Sequence, residues 1–205
     1  MAKHRMGIVG LGMAVTPHAK GLRDLADRVE VAGAYNRGEE RRKAFAKKFP
    51  QFPVTGDLNG LLDDKSVDCM LVLTTPDNHL ETVAKCAKAG KHVLLEKPLE
   101  ISSERAVEMI RVCRDAGVTL GIVLQHRQRP GGIRLREILQ SGKLGRVAGA
   151  SLFVPNWRPQ IGYYDQPGRG DKARDGGGVL ISQGIHTMDV FLSLAAQPVE
   201  VMAYA

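Results

Sequence analysis

The residues of this chain best suited to chemistry are Glu96-Lys97-Pro98, which close the apolar run Leu94-Leu95. An ammonium held at a strand end and partly desolvated has its pKa lowered toward neutrality. It can then exchange a proton with a substrate hydroxyl. On these residues alone a solvated lysine is the better reading, and its surroundings must decide. The first surrounding feature is Gly7-Ile-Val-Gly10-Leu-Gly12-Met13-Ala14-Val15. In a strand-to-helix connection Gly10 permits the tight turn, and Gly12 lets the backbone approach a pyrophosphate at the helix N-terminus, with Met13 and Ala14 beside it. The third position of this fingerprint is Val15, neither Gly nor Ala, so helix and strand must pack slightly differently there.

These groups need elements to hold them. Apolar, strand-like runs fall at Met6–Gly10, Val29–Tyr35, Val67–Leu73, His92–Leu95 and Thr119–Val123, with a weaker one at Pro53–Thr55. Helical patterns lie between them at Ala14–Ala26, Glu39–Lys48, Leu58–Leu62, Asn78–Ala89 and Ser102–Ala116. Near-continuous Val/Leu/Ile strands separated by amphipathic helices predict an α/β fold, a parallel sheet covered on both faces. Gly90 and Gly117 stand where helix C-caps are wanted, and Ser102 where an N-cap is. The expected arrangement is a doubly wound Rossmann domain over residues 1–124.

Within that domain the second strand ends in Asn36-Arg37. An acidic residue there would accept bonds from the adenosine ribose and repel a 2′-phosphate, whereas Asn36 carries no charge and Arg37 can pair with phosphate. The expectation leans to NADP, with NAD as the alternative; an ordinary strand-to-helix turn is the simpler reading of the same residues. The fourth strand ends in Thr74-Thr75-Pro76-Asp77-Asn78-His79. Asp77 or Asn78 suits a helix cap, and Thr75, Pro76 and His79 are compatible with facing a cofactor.

Composition narrows the partners. The chain has 205 residues, 25% charged and 43% hydrophobic, with a formal net charge of +7 and a pI near 9.5. A basic balance raises nucleic acid as a partner. The basic clusters, such as Arg41-Arg42-Lys43, sit at helical spacing, and aromatics are only 5%, too few for a base-stacking surface. An anionic cofactor or substrate accounts for the excess more economically. Cys69, Cys86 and Cys113 are widely spaced, which predicts reduced thiols and no metal site. No apolar run approaches the roughly 20 residues of a membrane span, and Met1–Met6 leads directly into a strand. The expectation is a cytoplasmic protein with neither membrane nor nucleic-acid partner.

From Gln125 the rhythm changes, and residues 125–205 are expected to form a partial substrate and oligomerisation domain. Pro130–Gln140 reads as a helix, Arg146–Val154 as a strand, Pro155–Asp175 as a loop, Gly176–Leu194 as glycines leading into a helix, and Val199–Tyr204 as the start of another strand. This is too little for a complete sheet, so the expectation is a truncated α+β unit or one completed by another chain.

Together the glycine turn, Thr74–His79, Glu96-Lys97-Pro98 and the run Gly176-Gly177-Gly178…His186 resemble the glucose–fructose oxidoreductase / inositol dehydrogenase / MocA-like family. The resemblance runs from residue 6 to 204. It implies a Rossmann domain followed by an α/β domain with a mostly antiparallel sheet. The implied activity is NAD(P)-dependent hydride transfer at a hydroxyl or keto carbon of a sugar, polyol or related cyclic alcohol. It implies Lys97 as the catalytic lysine, Glu96 as a nicotinamide-side residue and His186 as the family histidine. Ser182 stands four residues before His186, on one face of a helix, where many relatives carry Asp. Serine can hydrogen-bond a hydroxyl but is no carboxylate base, so proton transfer falls to Lys97 and His186.

Asp189 either bonds the imidazole or stays solvated. In the loop before that helix, Trp157 and Arg158 either grip a ring substrate or make a protein–protein contact. Arg127 either reaches substrate or bridges the domain junction. The resemblance also implies a homo-oligomer formed through the second-domain sheet. The alternative function is a non-catalytic dinucleotide-binding sensor or an inactive fragment.

Overall fold

The computed structural model describes residues 3–195 and 197–204. The chain divides into two compact units, Met1–Val123 and Leu124–Ala205. The first unit alternates strand and helix: β1 (His4–Val9), α1 (Val15–Asp24), β2 (Val29–Tyr35), α2 (Glu39–Lys48), β3 (Val54–Thr55), α3 (Leu58–Asp63), β4 (Cys69–Val72), α4 (His79–Lys88), β5 (His92–Glu96), α5 (Ser103–Asp115) and β6 (Leu120–Val123). The strands form one parallel sheet in the order β3-β2-β1-β4-β5-β6. The order reverses between β1 and β4, the switch point where a doubly wound sheet opens a crevice at its carboxyl edge.

Alternation along each strand builds two cores. Val9, Met70, Val72, Val93 and Leu95 pack with Leu62 of α3, Val83 and Cys86 of α4, and Met109 and Cys113 of α5. Met6, Ile8, Val31, Ala34, Leu71 and Leu73 point the other way, to Val15, Ala19 and Leu22 of α1 and Phe45 of α2. Ile8, Met70 and Leu95 are fully buried, and truncating any of them costs about 2–5 kcal/mol. The helix ends follow local chemistry. Asp57 caps α3 by accepting from Gly60 N, and Ser102 caps α5 by accepting from Arg105 N. The three cysteines are free thiols, and burial pushes the Cys86 thiol up to about 12.

The second unit contains α6 (Pro130–Gln140), α7 (Lys172–Asp175) and α8 (Ile185–Leu194). Two single wide turns lie at Gln160–Tyr164 and Leu180–Gly184, so the expected loop at 155–175 carries local structure, and a wide turn leads into α8. The expected strands do not form: Arg146–Val154 and Val199–Tyr204 have no regular structure. A strand needs a neighbour to take its backbone hydrogen bonds, and neither segment has one among the described residues. Phe153, Val201, Met202 and Tyr204 stay exposed as a result. The antiparallel sheet is therefore absent from the described residues. No helix among them is long and apolar enough to cross a membrane.

Candidate functional site

In the first unit the carboxyl ends of β1, β4 and β5 lie side by side on one sheet edge, which gathers Gly10, Thr74, Glu96 and Lys97. Gly10 has φ +102°, a left-handed backbone, and a Cβ there would lie 2.8 Å from the carbonyl of Leu73. Only glycine fits. Gly10 N donates to Tyr35 O at 2.9 Å, which seats the turn on the end of β2.

Gly12 differs: a Cβ there would meet only Arg41 Nη1, at 3.9 Å, so the space above it is open. Ala14 precedes α1 without offering a side-chain cap, and the first turn carries no acidic residue. Val15 N already donates to Gly12 O and Pro17 has no N–H, so the other N–H groups of this turn and the positive end of the helix dipole suit an anion such as a pyrophosphate. Met13 is exposed beside them. A cavity of about 170 Å³ opens here, lined by Gly12, Thr16, Arg41, Phe45 and Lys48 among others. Thr74 Oγ1 is buried at the neighbouring strand end with no hydrogen-bond partner, a donor awaiting an acceptor. The open space over Gly12 and this unpaired hydroxyl fit a bound dinucleotide.

Three expected cofactor residues, Asn36, Thr75 and His79, are hydrogen-bonded within the protein. Asn36 Oδ1 accepts from Leu11 N at 3.2 Å and its amide donates to Gly38 O at 3.3 Å, so the side chain braces the glycine turn. Arg42, not Arg37, closes the turn after β2 by donating to the carbonyls of residues 36 and 37. His79 is fully buried, with Nε2 3.1 Å from Thr74 O and Nδ1 3.3 Å from Leu99 O. A neutral imidazole has one N–H, so the ring donates to one of these carbonyls and packs against the other; fully buried, it does not face a ligand, which corrects its expected cofactor contact. Burial holds its pKa below the usual imidazole value, against the pull of both carbonyls. Thr75 Oγ1 accepts from Asn78 Nδ2 at 3.0 Å and Pro76 opens the short turn before α4, so both shape the crevice rim.

At the end of β5 the Glu96 carboxylate is mostly buried and both its oxygens are engaged. Oε1 accepts from His18 Nε2 at 3.0 Å and Oε2 from Lys97 N at 2.6 Å. Burial alone would raise this carboxyl, but the His18 hydrogen bond and the nearby positive charges win and lower it. The Lys97–Pro98 bond is cis, and Lys97 is half-buried. His18 was not among the expected residues. Its only sequence trace is a place beside Val15, Ala19 and Leu22, the buried face of α1.

The second unit holds the remaining candidates. Gly176 takes φ +84° to end α7, and Ser182 Oγ donates to Gly178 O at 2.8 Å, inside the wide turn that precedes α8. Ser182 thus lies in that wide turn and His186 four residues on, in the first turn of α8. The His186 ring stacks on His126 at 4.7 Å. Asp189 accepts from Arg127 Nε at 2.7 Å and also from Nη2. This pair lies within one unit, and Asp189 bonds a guanidinium rather than the imidazole or solvent. Arg158 lies over the Tyr163 ring at 5.4 Å and Arg169 at 5.0 Å. Trp157 is exposed.

Sequence comparison gives these sites a context. Residues 4–123 match the model described as "Oxidoreductase family, NAD-binding Rossmann fold", and residues 133–205 match the GFO/IDH/MocA C-terminal domain. A 1,5-anhydro-D-fructose reductase of Ensifer adhaerens is 31% identical over 175 residues, 85% of this chain and 52% of the relative. A myo-inositol 2-dehydrogenase of Thermotoga maritima is 30% identical over 196 residues, 96% of this chain and 56% of the relative. The WlbA dehydrogenase of Bordetella pertussis, solved with NADH and UDP-GlcNAcA, superposes with a TM-score of 0.87 at 26% identity, over 96% of this chain and 58% of that one. The chain thus spans about half the length of the relatives it matches. With the glycine turn, the Glu96-Lys97-Pro98 strand end and both family models in agreement, this chain belongs to the GFO/IDH/MocA oxidoreductase family.

Proposed function

We propose that the protein is an NAD(P)-dependent oxidoreductase acting on a hydroxyl or keto carbon of a sugar or polyol. The observation that carries this reading is the gathering of Gly10, Gly12, Thr74 and Lys97 on one edge of the parallel sheet. Gly12 and the N–H groups of α1 hold the pyrophosphate, and Thr74 Oγ1 supplies a further hydrogen bond. When bound, the nicotinamide supplies the hydride donor or acceptor. The chain contributes position and a proton: Lys97 Nζ takes the proton of the substrate hydroxyl in oxidation and returns it in reduction. His186 is the second proton-carrying group, supported by the Gly176–His186 motif. The substrate class follows the relatives, whose names specify an anhydro-sugar and an inositol.

NADP is the preferred cofactor on this reading. Asn36 presents no charge to repel a 2′-phosphate, and Arg41 brings a guanidinium within reach of the glycine turn. The experiment is a panel of aldoses, inositols and anhydro-sugars with NAD and NADP in both directions, followed by nicotinamide absorbance. Turnover with at least one sugar or polyol is expected; no turnover by a chain that binds the dinucleotide would overturn the catalytic reading. Tighter binding of NADH than NADPH would overturn the cofactor preference.

A further inference from the structure

We infer that His18 is a positioning residue for Glu96 and Lys97, and that it acts on the nicotinamide half of a bound dinucleotide. The inference rests on the proposed dinucleotide site. His18 stands one turn into α1, the helix whose N-terminus faces the pyrophosphate, and its ring reaches the end of β5, 78 residues away in sequence. Both side chains are mostly buried, His18 at 17% and Glu96 at 16% exposure. An ionised carboxylate only accepts, so the shared hydrogen must sit on His18 Nε2. With Oε2 taken by Lys97 N, the two bonds fix the rotamer of Glu96 and the backbone from which Lys97 extends.

The direction of the effect follows from sheet order. A dinucleotide lies across the switch point, adenosine toward β2 and nicotinamide toward β4 and β5. A loosened Glu96 therefore disturbs the nicotinamide end and spares the adenosine end. Losing a hydrogen bond to a buried carboxylate is enough to let that side chain swing out of place.

Binding of NADH and of ADP-ribose, which lacks only the nicotinamide, separates the two ends. Both are titrated calorimetrically into the full chain carrying His18→Asn or His18→Gln. Asn is too short to reach Glu96, whereas Gln places an amide N–H near the position of Nε2. His18→Asn is expected to weaken NADH about tenfold while leaving ADP-ribose within about twofold, and His18→Gln to restore most of the NADH affinity. Unchanged NADH affinity in His18→Asn, or equal losses for both ligands with no rescue by Gln, overturns the inference. Wild-type chain that binds neither ligand overturns instead the dinucleotide site on which it rests.

Discussion

Asp189 accepts two hydrogen bonds from the guanidinium of Arg127, one turn along α8 from the stack of His186 on His126. The turn at Gln125–Gln128 is thereby fastened to α8 at two adjacent points. Asp189 is only 9% exposed while Arg127 is 39% exposed, so the pair is worth less than a fully buried one yet costly to break from one side. Arg127→Ala is expected to destabilise the fold by about 1–3 kcal/mol, because a nearly buried carboxylate is left alone. Arg127→Lys should recover only part of this, since an ammonium cannot make the paired contact. Urea unfolding followed by circular dichroism measures both.

The two glycines of the turn should respond oppositely. Gly10→Ala forces a side chain into a left-handed backbone and against the Leu73 carbonyl. Backbone strain alone costs about 1–3 kcal/mol, and the clash adds to it. Gly12→Ala enters open space, and its unfolding midpoint should stay close to wild type. Equal thermal midpoints for the two variants would contradict this account of the turn.

Acid should weaken the fold through His79. Burial holds its folded pKa below the ordinary 6.5, so between those values the unfolded chain binds more protons. Its contribution is whole above about pH 6.5 and is lost as pH falls toward the folded value. His126 is shifted in the same direction by burial and Arg129, so it adds to the same window. The lowered carboxyl of Glu96 acts further down, losing its contribution as pH falls through a value below 4.5. His79→Leu should therefore flatten stability against pH below about 6.5, by at most about 1.4 kcal/mol per pH unit. Denaturant midpoints measured from about pH 7 downward provide the check.

Lys97→Met should lower turnover by about 10²–10⁴-fold, the usual weight of a general acid–base group. Cofactor affinity should stay near wild type, because Met keeps most of the side chain's length and apolar stem and removes the ammonium group. Steady-state rates and dinucleotide titrations on the same preparation separate these effects. Near-normal turnover would remove Lys97 from the proposed chemistry.

How far the sequence foretold this depended on how local the interactions are. Strand β2 and helices α2 and α6 fall at the expected residues, because apolar spacing and breakers such as Pro130 act over short distances. Gly10 was legible for the same reason: a strand running into a Gly-rich turn constrains its own backbone. His18 was not, since its partner lies 78 residues away and nothing in α1 announces it. His79 looked like a crevice residue from its strand-end position, but tertiary packing turned its ring inward between two carbonyls. Segments 146–154 and 199–204 have the composition of strands, and composition alone cannot supply the neighbour a strand requires.

The central claim is that a nicotinamide dinucleotide binds where Gly12 leaves open space at the head of α1. Titration of NADPH and NADH into the intact chain, wild type and Gly12→Val, tests it most directly. Saturable one-to-one binding to wild type is predicted, weakened at least about tenfold in Gly12→Val, where a branched side chain blocks approach to the helix N–H groups. Both proteins should unfold at similar temperatures. A well-folded wild-type chain with no saturable binding of either dinucleotide, or a Gly12→Val variant that binds as tightly as wild type, would contradict it.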